Sequence, residues 1–232
     1  MSLKMFPKKT ILAAMALIAL LPLFAKAAPA RADGAYDRQA AADYARAFAL
    51  MPNPDYNFYG SGDGEDCTNF VSQALLFGGW AQIPGSLFDR NNTRAWWYDD
   101  WFEVASHTWV GVIPFRDFLG QNGRAQLVTH LRDLDVGDVI QMQWPGNSAI
   151  SHTVIVTYRD PDGTLYVSQH SPGRLDTELL TYPPGTRFIR WHIFGPPSRP
   201  APTLTGFNDA RFLSDGSPAD GTVLSPGQPF TN

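Results

Sequence analysis

One thiol in 232 residues carries whatever thiol chemistry this chain has. Cys67 stands in Gly62-Asp63-Gly64-Glu65-Asp66-Cys67-Thr68-Asn69-Phe70-Val71-Ser72-Gln73, where a glycine-rich turn runs into an apolar stretch of helical spacing. Asp66 is a favoured N-cap residue, which predicts Cys67 at the first helical position. Unpaired N–H groups and the positive end of the helix dipole there favour an anion, and so a thiolate. A cysteine nucleophile further needs a base, a group that orients the base, and donors for the oxyanion.

Histidine is the usual base, and the chain has five. His107, in an aromatic stretch, His130, in a polar turn, and His192, inside the last strand, read as structural residues. His152 opens the β-branched run Thr153-Val154-Ile155-Val156, which would hold it rigidly at the lip of a buried strand. His170 closes the next strand, and the midpoint of the two histidines falls at residue 161, inside the turn Asp160-Pro161-Asp162-Gly163. They are therefore expected at the same open end of adjacent antiparallel strands, as base and orienter. Gln169 is the neighbouring alternative for the orienting role, and two edge histidines facing solvent are the bland one. The Cys67 backbone N–H, with a hydroxyl from Tyr56 or Tyr59, could hold the oxyanion. Asn69 and Gln73, four apart on one helix face, either line the cleft or fix the helix to the sheet.

The elements that must position these groups follow from spacing. Tyr36, Ala40, Tyr44, Phe48 and Met51 recur at helical intervals, which predicts a helix over 35–51, ended by Pro52 and Pro54. The nucleophile helix runs over 67–77 and stops at Gly78-Gly79. From Trp80 to Val110 the periodicity fades and five of the seven tryptophans crowd in. That stretch is either a surface for sugars or peptides or a loop packing its rings inward. A short helix is expected over 112–119, then strands over 138–144, 152–158, 165–169 and 188–194. Helices first and consecutive strands after them predict an α+β domain with an antiparallel sheet.

Residues 1–32 read as a signal peptide: Lys4, Lys8 and Lys9 precede an apolar run from Ile11 to Phe24, with small-x-small sites at Ala25-Lys26-Ala27 and Ala30-Arg31-Ala32. The run is short of the ~20 residues of a spanning helix. Cleavage leaves 13 arginines against 22 acids and no lysine, because Lys4, Lys8, Lys9, Lys26 and Arg31 go with it. Such a balance argues against a nucleic-acid or anionic-membrane partner. A single cysteine in an exported protein makes no intrachain disulfide, leaving a crosslink, a buried hydrophobe or a reactive thiol. Residues 33–195 form the expected domain, and 196–232, rich in Pro, Gly and Ser, a tail.

Asp66-Cys67-Thr68-Asn69-Phe70-Val71-Ser72-Gln73, followed by Gly78-Gly79, resembles the nucleophile segment of the Putative amidase domain family, itself similar to the NlpC/P60 and CHAP cysteine hydrolases. The likeness continues through Tyr56, Trp96-Trp97, Gly137-Asp138-Val139-Ile140-Gln141, the His152 strand and Val167-Ser168-Gln169-His170. It implies a papain-like α+β core with Cys67 as nucleophile, His152 as base, His170 as third member and Tyr56 as oxyanion helper. Asn69, Trp96, Trp97 and Gln169 are the candidates for contacting substrate. The expected protein is a secreted, monomeric amidohydrolase acting on cell-wall peptide or another amide, without cofactor or metal. Two other readings use the same residues: a zinc site of Cys67, His152 and His170, and a non-catalytic or toxin-like module whose aromatic loop grips a glycan or peptide.

Overall fold

Helix α1 (Arg38–Phe48) begins where the Asp37 carboxylate accepts the Ala40 N–H at 2.9 Å, and it buries Ala41, Ala42, Tyr44 and Ala45. The computed structural model describes residues 36–60 and 66–194; the expected signal peptide, the tail over 196–232 and the glycine turn over 61–65 lie outside the described residues. Helix α2 (Asp66–Phe77) is buried on every side from Asp66 to Leu75, the mark of a helix enclosed by the domain. It stops where Gly79 takes φ +97°, so that the Gly79 and Trp80 N–H groups return to Leu76 and Leu75 carbonyls at 2.9 Å each. At Gly78 a Cβ would meet the Tyr36 ring at 2.6 Å and the Ala41 methyl at 2.9 Å, so α1 can cross closely only over glycine.

The aromatic stretch folds into a small hairpin, β1 (Tyr98–Asp99) with β2 (Val104–Ala105), and into α3 (His107–Val110) and α4 (Val112–Gln121). Most of its rings turn inward. Trp80, Trp96 and Trp109 are core residues, with Trp96 and Trp109 centroids 4.6 Å apart and the Trp96 Nε1–H donating to Ser72 Oγ at 3.1 Å. Trp97 is buried as well, whereas Phe88, Trp101 and Phe102 are exposed. Trp96 and Trp97 are therefore packing residues and not the substrate contacts expected of them, because the small domain fills its interior with these rings.

The sheet comprises β3 (Ala125–Val128), β4 (Val139–Gln143), β5 (His152–Arg159), β6 (Leu165–Gln169), β7 (Arg174–Glu178) and β8 (Arg187–Ile193). Its order is β3-β8-β4-β5-β6-β7, antiparallel throughout. Alternation divides it cleanly. Val139, Ile155, Ile189 and Trp191 face Phe70, Val71 and Ala74 of α2, while Ile140, Met142, Val154, Val156, Val167 and Phe188 face a second core with Leu131, Leu134, Leu179 and Tyr182. This is the α+β class that the element order predicts. Strands β3 and β7 are additions; β7 is a polar edge strand, and its sequence Arg-Leu-Asp-Thr-Glu has no apolar alternation to announce it.

Candidate active site

The nucleophile candidate lies where α2 meets β5. Asp66 is the first helical residue and not the N-cap. Its carboxylate instead collects the Tyr59 N–H at 2.9 Å, the Asn69 amide at 2.8 Å and the His170 Nδ1–H. Cys67 is fully buried. Its sulfur lies by the backbone N–H of Thr153 and 3.8 Å from the Thr68 hydroxyl, which in turn meets the Thr153 hydroxyl at 2.9 Å. Burial pushes the thiol up from its ordinary value, and the Asp66 charge adds to that; the N–H and hydroxyl contacts oppose it without winning. The thiolate expected from the helix dipole is thus not the resting state, because desolvation outweighs the dipole.

The Thr153 N–H belongs to the peptide unit that joins residue 153 to His152, so the sulfur lies beside a nitrogen two bonds from the His152 Cα. No hydrogen bond joins sulfur and imidazole among the described residues. His152 is Met142's partner on β4, on the sheet face of Val154 and Val156, with its ring 5.5 Å from that of Trp144. Its Nε2 is buried without a hydrogen-bond partner, while the Gln169 side chain serves the ring. The Gln169 Nε2–H donates to the Pro172 carbonyl at 3.0 Å and Oε1 takes the Tyr182 hydroxyl, which fixes the amide against the His152 ring.

His170 is not the orienter. Ile155 pairs with Ser168 and Val156 with Val167, and the register shifts between Val156 and Tyr158. Carried back along β5, this register sets Thr153 opposite His170 and His152 opposite Ser171. The bulge moves the pairing by one position from a symmetric hairpin, and one position changes the face. His170 accordingly points to the helix side, where Nε2–H donates to the Phe48 carbonyl at 2.8 Å and the ring stacks on Phe70 at 4.2 Å. Gln169 takes the His152 side, the place the sequence leaves as its alternative.

The remaining candidates are placed as follows. Asn69 spends its amide on the Asn57 carbonyl (2.8 Å) and Asp66 and accepts the Trp109 Nε1–H (2.9 Å), so it fixes the helix and does not face a cleft. Tyr56 packs between Tyr98 and Trp109, with burial pushing its hydroxyl up to about 12. Gln73 accepts the Tyr44 hydroxyl. His107 meets Asn91, His130 caps the turn at Leu131–Asp133 and His192 meets Asp138. Cys67, His152 and His170 do not converge as zinc ligands: no group of three His, Cys, Asp or Glu residues suited to a metal occurs among the described residues. The sequence gives no signal for Thr153, Trp144 or Tyr182, which come to the site only through pairing.

Burial lowers His152 from its ordinary 6.5 to about 4, so the ring is neutral at pH 7. The sign follows from proton binding. Between pH 6.5 and 4 the unfolded chain takes a proton at this residue that the folded chain refuses, so stability present above 6.5 is lost as pH falls toward 4. Its magnitude is about 3 kcal/mol. Urea unfolding of the protein and of His152→Gln at pH 7 and pH 4 should differ in pH dependence by that amount, the variant being the flatter. Equal pH dependence would contradict a buried neutral ring.

No solved structure matches the chain. Two proteins of Bacillus subtilis (strain 168) are similar to it: uncharacterized protein YjcM, 31% identical over 151 residues (61% of this chain, 32% of YjcM), and uncharacterized protein YhbB, 30% identical over 168 residues (68% of this chain, 50% of YhbB). The chain thus spans between 32% and 50% of the length of these relatives. Residues 35–192 match the Putative amidase domain, a region that includes α2, β5, β6 and every residue of the candidate site. A lone thiol on the peptide of a neutral histidine therefore lies within an amidase domain, and the chain belongs to the Putative amidase domain family.

Proposed function

We propose that the chain is an exported cysteine amidohydrolase that cleaves an amide bond through an acyl-thioester. The observation that carries this reading is the place of the only thiol beside the peptide of His152, whose Nε2 is buried and unpartnered. An orphaned buried nitrogen costs about 1–3 kcal/mol, and such a cost is expected where a group must accept a proton in turnover. The His152 side chain leaves β5 on the face opposite α2, so the base reaches the thiol only if the start of β5 shifts when substrate enters.

Because the resting pair is thiol and neutral imidazole, the proton moves as the bond forms. Nε2 takes the thiol proton, the sulfur pair forms the C–S bond, and the carbonyl pair moves onto oxygen. The Cys67 N–H, in the first helical turn, is free of an intrahelical partner and stabilises that oxyanion. Collapse expels the amine, which takes the proton from Nε2. Water, deprotonated by Nε2, then attacks the thioester, releasing the acid and returning the proton to sulfur. Gln169, held by Tyr182 and Pro172, orients the ring throughout.

A nucleophile at the start of an enclosed helix, a base on one strand and its polar partner on the next is the arrangement of papain-like hydrolases of the NlpC/P60 and CHAP kind. That likeness, together with a basic and apolar N-terminal stretch, supports an extracellular peptide such as the peptidoglycan stem as substrate. The test is incubation of purified peptidoglycan with the protein and mass analysis of the soluble products. Release of fragments with new amine and carboxyl ends is expected. Unaltered peptidoglycan, with the protein folded and its thiol free, would rule out this substrate class.

A further inference from the structure

Beyond the base and its partner, the same face of the sheet carries a cation at the edge of the site. Arg174 on β7 is the Cα partner of Gln169 on β6, the residue that faces His152. Its guanidinium lies 5.5 Å from the centre of the Tyr182 ring, and the Tyr182 hydroxyl is bonded to Gln169. Gln169, Tyr182 and Arg174 thus form one connected cluster behind the imidazole. The Arg174 side chain itself is exposed.

What distinguishes this arginine is its place beside Gln169 with no acid set against it. Arg38, Arg46, Arg116 and Arg132 meet Asp138, Asp176, Asp117 and Asp133. Arg90, Arg124 and Arg159 donate to backbone carbonyls. Arg174 has the Tyr182 ring as its recorded partner among the described residues. The acids on its own strand serve elsewhere: Asp176 is held by Arg46 and Thr157, and Glu178 pairs in register with Tyr166 at the far end of β6. In a chain with an acidic excess, a guanidinium beside the base without a carboxylate is a vacancy of charge.

We propose that Arg174 is a carboxylate-binding residue of the active site, and that the amide substrate carries a carboxylate near the bond to be cleaved. The planar fork of a guanidinium matches a carboxylate in two parallel hydrogen bonds, and stacking on Tyr182 pre-sets its plane. The position also tells in the field at the base, where the Arg174 charge opposes protonation of His152. An incoming carboxylate would relieve that opposition and make the ring a stronger base when substrate is bound. The inference rests on Cys67 being the nucleophile.

Because the chain has one cysteine, alkylation reports on this site alone. Rates with iodoacetate, which is anionic, and with iodoacetamide, its neutral isostere, are compared in the full chain and in Arg174→Gln at low salt. The variant should lose about fivefold of its rate with iodoacetate while its rate with iodoacetamide changes less than twofold, the discrimination one charge gives across a partly solvated site. Arg174→Lys should restore part of the preference. An unchanged ratio overturns the carboxylate subsite and leaves the nucleophile in place. A thiol that reacts with neither reagent overturns the nucleophile, and the subsite with it.

Discussion

If Cys67 is the proposed nucleophile, Cys67→Ala is expected to remove amide cleavage, by at least about 10³-fold, in a protein that still folds. The chain holds no second thiol to take over. Folding survives because the thiol does little of the packing: Thr68 keeps its 2.9 Å bond to Thr153, and Phe70, Val71 and Ala74 still carry α2 onto the sheet. The Thr153 N–H loses its sulfur neighbour, a cost of about 1 kcal/mol or somewhat more. His152→Ala is expected to cost about 10²–10⁴-fold, the range of a general base. Rates are read by fragment release from the substrate and folding by circular dichroism. Wild-type cleavage by Cys67→Ala would end the thioester mechanism, and wild-type cleavage by His152→Ala would move the base elsewhere.

His170→Ala is expected to destabilise the fold by about 3 kcal/mol, the cost of leaving a buried carboxylate without its imidazole partner. Asp66 is 1% exposed, and the His170 imidazole is the ring that meets its carboxylate among the described residues. The imidazole also closes a gap between helices, since it bonds the last carbonyl of α1, at Phe48, and stacks on Phe70 of α2. Without it the carboxylate stays in the interior with only the Tyr59 N–H and the Asn69 amide, beside a thiol that its charge makes harder to ionise. Alkylation of Cys67 should therefore slow as well. Adding Asp66→Asn removes the stranded charge, so the double variant should recover part of both losses. Urea unfolding measures the first effect and the rate with iodoacetamide the second. A loss under about 1 kcal/mol in the single variant would show that the pair carries no charge worth neutralising.

Much of the scaffold was legible because its signals are local. Helical spacing marks α1 and α2, the Gly78-Gly79 stop marks the end of α2, and Asp160-Pro161-Asp162-Gly163 marks the hairpin that joins β5 to β6. Strand β7 and the β1–β2 hairpin escaped notice, since one is polar along its length and the other is two residues per strand. Tryptophan content likewise could not say which rings pack and which face water: Trp96 is wholly enclosed and Trp101 is 87% exposed, five positions apart.

By itself the sequence determined that a single cysteine opens a helix and that two histidines sit on one hairpin, because capping, periodicity and turn chemistry act over a few residues. Only the tertiary structure decided which histidine meets Asp66 and which meets Gln169. The register shift between Val156 and Tyr158 moves the pairing by one residue, and since successive side chains leave a strand on opposite faces, that shift sends His170 to Asp66 and gives His152 to Gln169. Tertiary burial likewise decided the charge state at rest, because removal from water outweighs a helix dipole and leaves a thiol beside a neutral ring.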